Sequence, residues 1–305
     1  MTLHARARRV GGLIASAVVV AAALLGAGPA VAAPGPISAL TTSAPTTSAL
    51  TYVNLGDSYS AGSGVVPTVP GTLEQCAQSA DNYSHLIAQR FGYHLTDVSC
   101  GGAPTDDFFG VQYPGLHPQL DALGAGTDLV TFMIGGNDGM VFAGTVGKCL
   151  AAAATTLGKG APCKDTYGDS IANEIRTQTF PKLVKAMRAV RTTAPRARVA
   201  VISYPWIMPA TYEPCPAFPV AAGDVAYTYD IQATLNDAIR RAAAVTGVSF
   251  VDATTPSVGH DSCKPVGARW IEPILTTQQI VPVHPNALGE RELASIATAA
   301  LGLGR

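Results

Sequence analysis

The sequence predicts an α/β fold, a three-layer αβα sandwich around a central five-stranded parallel sheet. Five short apolar runs rich in strand formers punctuate residues 51–252. Each run is continuous rather than alternating, the pattern of strands buried on both faces. Segments of helical spacing separate and follow them, and strand–helix alternation of this kind gives parallel strands covered by helices. With 48% hydrophobic and only 13% charged residues, the 305-residue chain suits one large packed domain and excludes a disordered chain.

Taken in order, residues 1–32 read as a secretory signal. Arg6, Arg8 and Arg9 form a positive start, Val10 to Leu25 an apolar stretch, and Ala30-Val31-Ala32 a small-residue cleavage site. Residues 33–50 carry no charge and no amphipathic period and read as a flexible leader. The domain is expected over residues 51–305. Its five strands are expected at Thr51–Leu55, Leu95–Cys100, Leu129–Ile134, Arg198–Ser203 and Val248–Asp252. Helices are expected over Ile171–Val190, through Ile231, Leu235, Ala238, Ile239 and Ala242, and through Leu293, Ile296, Ala297, Ala300 and Leu301.

The formal net charge of −1 becomes −4 once the three signal arginines are removed, and no Lys/Arg block exists. That argues against nucleic acid as a partner and against an electrostatic membrane switch. No segment after the signal is long enough to span a bilayer. The expected product is therefore secreted, extracellular and not stably inserted in a membrane. A monomer is expected. All six cysteines lie in the exported part, which implies disulfides. Of fifteen possible connectivities, the local one is expected: Cys76–Cys100, Cys149–Cys163 and Cys215–Cys263. No C-x-x-C occurs, so zinc ribbons and thioredoxin chemistry are poor readings.

Ligand sites in such sheets lie at the carboxyl ends of the strands, and four motifs fall near strand ends or helix starts. Gly56-Asp57-Ser58-Tyr59-Ser60 follows strand one, where a serine on a tight turn projects its hydroxyl; taken alone, the motif is better explained as a helix N-cap. Ser99-Cys100-Gly101-Gly102-Ala103 follows strand two, where glycine can leave an N–H free as a donor, or merely make a turn. Ile134-Gly135-Gly136-Asn137-Asp138 follows strand three, and an Asn amide there can stabilise an oxyanion or serve a turn. Val283-His284-Pro285-Asn286 opens the last helix, with Pro285 expected at its first position and His284 at its cap.

Serine, glycine, asparagine and histidine in this order resemble the four blocks of the SGNH, or GDSL-like, hydrolase superfamily. The likeness runs from Tyr52 to about Gly302 and is closest to the secreted lipases and esterases of filamentous actinobacteria. It is carried by LGDSYSAGSGV (55–65), IGGND (134–138), RWIEP (269–273) and VHPNALGE (283–290). The resemblance implies a flavodoxin-like fold, a Ser58 nucleophile and His284 as its base. It also implies an oxyanion hole from the Ser58 N–H, the Gly102 N–H and the Asn137 amide, an acyl-enzyme intermediate, and neither metal nor organic cofactor. Asp57 and Asp138, beside these residues, are expected to serve the turns.

The chain departs from the superfamily in one respect. Most members place an aspartate three residues before the histidine, and here that position is Val281. The orienting acceptor is therefore a carboxylate from elsewhere, Glu272 or Asp261, or a main-chain carbonyl. Some members of the actinobacterial subgroup use such a carbonyl, which implies the oxygen of Val281 or Pro282. Phe108, Phe109, Tyr113, Trp206, Ile207, Met208, Tyr212 and Phe218 are candidates to line an acyl groove. The expected activity is that of a lipase or carboxylesterase. The alternatives are a carbohydrate acetyl esterase or phospholipase of the same superfamily, or a secreted binding module without activity.

Overall fold

A computed structural model describes residues 49–304 of the chain. The signal segment 1–32 and all but the last two residues of the 33–50 leader lie outside the described residues. Strands β1 (Thr51–Gly56), β2 (His94–Asp97), β3 (Leu129–Met133), β4 (Arg198–Ile202) and β5 (Ser249–Val251) pair in parallel in the order β2-β1-β3-β4-β5. The α-helices are α1 (Ser58–Ala61), α2 (Tyr83–Phe91), α3 (Val141–Thr155), α4 (Pro162–Tyr167), α5 (Ser170–Glu174), α6 (Phe180–Thr193), α7 (Asp224–Thr246) and α8 (Ala287–Leu301).

The strand order fixes the layers. The chain moves outward in one direction from β1 to β2, and in the other from β3 through β4 to β5. Crossovers between parallel strands are right-handed, so opposite directions of travel place their helices on opposite faces. Accordingly α6 packs on α7, whereas α2 packs on the returning α8. Every residue of β3 is buried, as is β1 after Thr51, which is why both read as unbroken apolar runs. The order also reverses between β1 and β3, and a crevice opens at such a switch point.

Three expectations are corrected in detail. The run at Leu95–Cys100 is regular strand only to Asp97: the Val98 and Cys100 N–H groups still donate to Asn54 and Gly56 of β1, but the Asp97 carboxylate accepts the Ser99 N–H and hydroxyl and the Asn54 and Asn82 amides, closing a turn on the open edge. The helix expected over 171–190 is split by a π-helical stretch at Ile175–Thr179. Pro181, in the first turn of α6, has no N–H to donate and its ring crowds the carbonyl of the preceding turn, so the helix widens there. In α8 the core positions are Leu293, Ala294, Ala297 and Leu301, with Ala300 exposed. The α7 stripe is buried as its spacing predicts.

Three disulfides pin the loops: Cys76–Cys100, Cys149–Cys163 and Cys215–Cys263, spanning 24, 14 and 48 residues of sequence. Among the described residues no helix is long and apolar enough to cross a membrane. The longest disulfide loop restricts the unfolded chain most. Replacing Cys215 and Cys263 together by serine should lower unfolding stability by about 2–4 kcal/mol. Urea titration of the double variant against the parent checks it.

Candidate active site

The turn after β1 leaves little choice of residue at its apex. Gly56 sits at φ +117°, and a Cβ there would fall 2.3 Å from the Met133 carbonyl oxygen, so only glycine fits. Gln119 clamps this glycine from both sides, accepting its N–H at 2.7 Å and donating to its carbonyl at 3.0 Å. Asp57 then caps α1, accepting the Tyr59 N–H at 2.9 Å and the Tyr204 hydroxyl at 2.5 Å. Burial raises the Asp57 carboxyl to about 7. Ser58 follows as the first residue of α1, half-buried, with no acceptor for its N–H among the described residues.

The histidine arrives on the loop before α8. Pro285 does not start that helix: Asn286 caps it, accepting the Leu288 and Gly289 N–H groups, so His284 lies two residues outside. Its imidazole spans two partners, Ser58 Oγ at 2.7 Å from Nε2 and the Pro282 carbonyl at 2.8 Å from Nδ1. A carbonyl can only accept, so Nδ1 carries the proton, Nε2 is a lone pair, and the serine hydroxyl donates to it. The Val281 carbonyl is used elsewhere, by the Gln279 amide at 2.9 Å.

Val283 makes this short circuit possible. It lies at φ +61°, a region a β-branched residue enters at a cost of about 1–3 kcal/mol. The strain is held by three hydrogen bonds. The Val283 N–H donates to the Glu272 carbonyl at 2.8 Å, the Tyr59 hydroxyl to the Val283 carbonyl at 2.6 Å, and the Glu272 N–H to the His284 carbonyl at 3.0 Å. The Tyr59 ring also packs 4.9 Å from the imidazole. Burial lowers the His284 pKa below 6.5, and the Pro282 bond opposes this only in part.

Neither alternative carboxylate reaches the imidazole. Glu272 is a buried partner of Arg269, joined by two hydrogen bonds, and also accepts the Gln278 N–H and the Asn286 amide. Burial pushes its pKa up, but these bonds outweigh it and hold it below its usual value. Asp261 accepts the Cys263 N–H and pairs with Lys264 at 3.7 Å. Glu213, Asp261 and Cys263 gather ligand-type atoms within 4.8 Å. The sulfur is committed to its disulfide and Lys264 bridges the acids, so the trio is an ion-pair cluster.

The donors arrive from the next two strands. Gly102 turns at φ +79° with no acceptor for its N–H among the described residues. The Asn137 amide donates to the Ala103 carbonyl at 3.2 Å, leaving its second N–H free. Asp138 is a brace: it accepts the Thr105 N–H and hydroxyl and so ties the glycine loop to the asparagine loop. Tyr204 links the first and third blocks, accepting the Gly136 N–H at 3.0 Å while donating to Asp57.

A cavity of about 340 Å³ opens beside Ser58, Asn137 and His284. Its apolar wall is Phe142, Val146 and Leu150 of α3 with Ile274, none of them singled out from sequence. Their i, i+4, i+8 spacing on one helix was the available signal. The eight residues expected to line a groove do not border it. Phe108, Ile207, Met208 and Phe218 are buried, Trp206 stacks on Tyr229 at 4.0 Å, and Phe109 lies under Lys185. Tyr113 and Tyr212 are solvent-accessible elsewhere.

A five-stranded parallel sheet with a hydrogen-bonded serine and histidine at its switch point has the arrangement of a serine hydrolase, a serine held beside a base. The model of the GDSL-like Lipase/Acylhydrolase family matches residues 55–292. The chain belongs to that family and is an ester hydrolase. It is 54% identical to Lipase 2 of Streptomyces coelicolor over 84% of this chain and 88% of that protein. It is 31% identical to a lipase of Streptomyces rimosus over 81% and 85%. Among solved structures, an extracellular lipase from Streptomyces rimosus superposes with a TM-score of 0.69 at 27% identity, covering 83% of this chain and all of that one. Phospholipase A1 from Streptomyces albidoflavus gives 0.70 at 25% identity with the same coverage.

An imidazole held neutral by burial takes up a proton only in acid. The acid limb of kcat/KM should therefore titrate below pH 6.5, rising to a plateau as His284 deprotonates. A pH–rate profile with a soluble ester checks it.

Proposed function

We propose that the protein is an exported lipase or carboxylesterase in which Ser58 attacks the carbonyl carbon of a carboxylic ester. His284 Nε2 takes the serine proton and returns it to the leaving alcohol. The acyl-enzyme that remains is hydrolysed by water activated at the same nitrogen. The negative oxygen of each tetrahedral intermediate is stabilised by the Ser58 N–H, the Gly102 N–H and the Asn137 amide. The observation that carries this reading is the 2.7 Å contact of Ser58 Oγ with a histidine whose other nitrogen is held by a carbonyl. Pro282 thus takes the orienting role that a carboxylate has elsewhere. It fixes tautomer and ring direction but supplies less stabilisation to imidazolium.

The apolar wall formed by α3 supports an acyl chain longer than acetyl, and the likeness to Streptomyces lipases supports lipid esters. The likeness to phospholipase A1 favours phospholipids as a second substrate class. Export is supported by the residue 1–32 signal pattern, by three disulfides, and by the extracellular lipase among the structural relatives.

Replacing Ser58 by alanine should lower kcat by about 10⁴-fold or more and abolish labelling by a fluorophosphonate. The parent should hydrolyse p-nitrophenyl decanoate with higher kcat/KM than the acetate; a preference for acetate would favour a carbohydrate esterase. Glu272→Gln should keep kcat within about tenfold while losing up to about 3–5 kcal/mol of stability, the cost of breaking a buried ion pair. Abolished turnover in a folded Glu272→Gln protein would contradict the role given to Pro282.

A further inference from the structure

Accounting for the amides of the glycine loop singles out one peptide. The Cys100 N–H donates to the Gly56 carbonyl at 3.0 Å, Gly101 to Cys76 at 2.9 Å, and Ala103 to Cys100 at 3.2 Å. Of these four consecutive amides only that of Gly102 has no acceptor among the described residues. It belongs to the peptide joining Gly101 to Gly102, and the carbonyl of that peptide accepts from Gln112 Nε2 at 2.8 Å. In a planar trans peptide the C=O and N–H point in opposite directions. A donor on the oxygen therefore aims the hydrogen and polarises it.

The peptide needs such a hold. Glycine on either side leaves it free to rotate, and a Cβ at Gly102 would meet only the Gln112 amide, 3.9 Å away. Gln112 has one workable orientation, since the reverse would set two carbonyl oxygens against each other. Its Oε1 is buried without a partner, so the side chain is placed for its donor end alone.

We propose that Gln112 is a positioning residue of the oxyanion hole, which locks the Gly101–Gly102 peptide so that the Gly102 N–H faces the developing negative oxygen. It acts through the peptide and does not touch substrate. This rests on the reading of Gly102 as an oxyanion donor and adds to it what sets the strength of that donor. Because the charge exists only after attack, the loss falls on kcat and not on KM.

The test uses the full-length enzyme carrying Gln112→Ala, Gln112→Leu or Gln112→Glu, with p-nitrophenyl decanoate turnover and the rate of inactivation by a fluorophosphonate. Attack on phosphorus places a charged oxygen in the same hole, so the second readout follows the donor and not the fold. All three variants should lose about five- to thirtyfold in kcat, less than a direct donor is worth. KM should stay within about twofold, and inactivation should slow in the same proportion as kcat. Melting temperature should move by less than about 2 °C, as for a half-exposed loop residue. Unchanged kcat in the alanine and leucine variants would overturn the proposal, as would a fall in kcat with phosphonylation unaffected. Parent-like turnover by Ser58→Ala would overturn the reading beneath it, an outcome separate from anything the Gln112 variants report.

Discussion

The bond from His284 Nδ1 to the Pro282 carbonyl is the constraint on which the rest of the site depends. It decides which nitrogen carries the proton, and hence that the other can accept from Ser58. An acceptor two residues upstream can reach the ring only if the intervening residue bends sharply, and Val283 does so at a positive φ. Such strain persists only where neighbours over-determine it. Tyr59, beside Ser58, and Glu272, through its main chain, supply that hold. The helix that carries Ser58 thus grips the loop that carries His284.

The same economy runs through the other blocks. Each strand end at the switch point contributes one chemical group, and side chains from other loops tie the ends together. Tyr204 joins Asp57 to Gly136, Asp138 joins the third block to Thr105, and Gln119 encloses Gly56. Asp57 and Asp138 are buried acids, and both are occupied as hydrogen-bond acceptors. Burial raises the pKa of Asp57 and Asp138 in opposition to those hydrogen bonds, which is the cost of using carboxylates as braces.

The sheet was legible because its strands are buried on both faces, so β1, β3 and β4 read as unbroken apolar runs. β2 ended early as regular strand where the Asp97 carboxylate folds back onto the Ser99 N–H, although Val98 and Cys100 still donate to β1. The four blocks were legible through their joint order, which resembles that of the superfamily, since each alone reads also as a turn or a cap. Local pattern failed wherever long-range contacts decide. The choice of Pro282 over Val281 depends on the bend at Val283, which no propensity for valine predicts. The cavity wall came from α3, a helix whose spacing was visible but whose facing was not. Gln112 and Gln119 gave no signal at all, because a glutamine in a loop acquires a role only from the backbone it meets.

A neutral main-chain carbonyl fixes the imidazole in its Nδ1-protonated form. Nitrogen-15 NMR of labelled enzyme, observed at neutral pH with His284→Gln for assignment, measures this directly. His284 should hold its proton on Nδ1, with Nε2 showing the shift of an unprotonated nitrogen. A ring protonated on Nε2, or one averaging freely between tautomers, would contradict it.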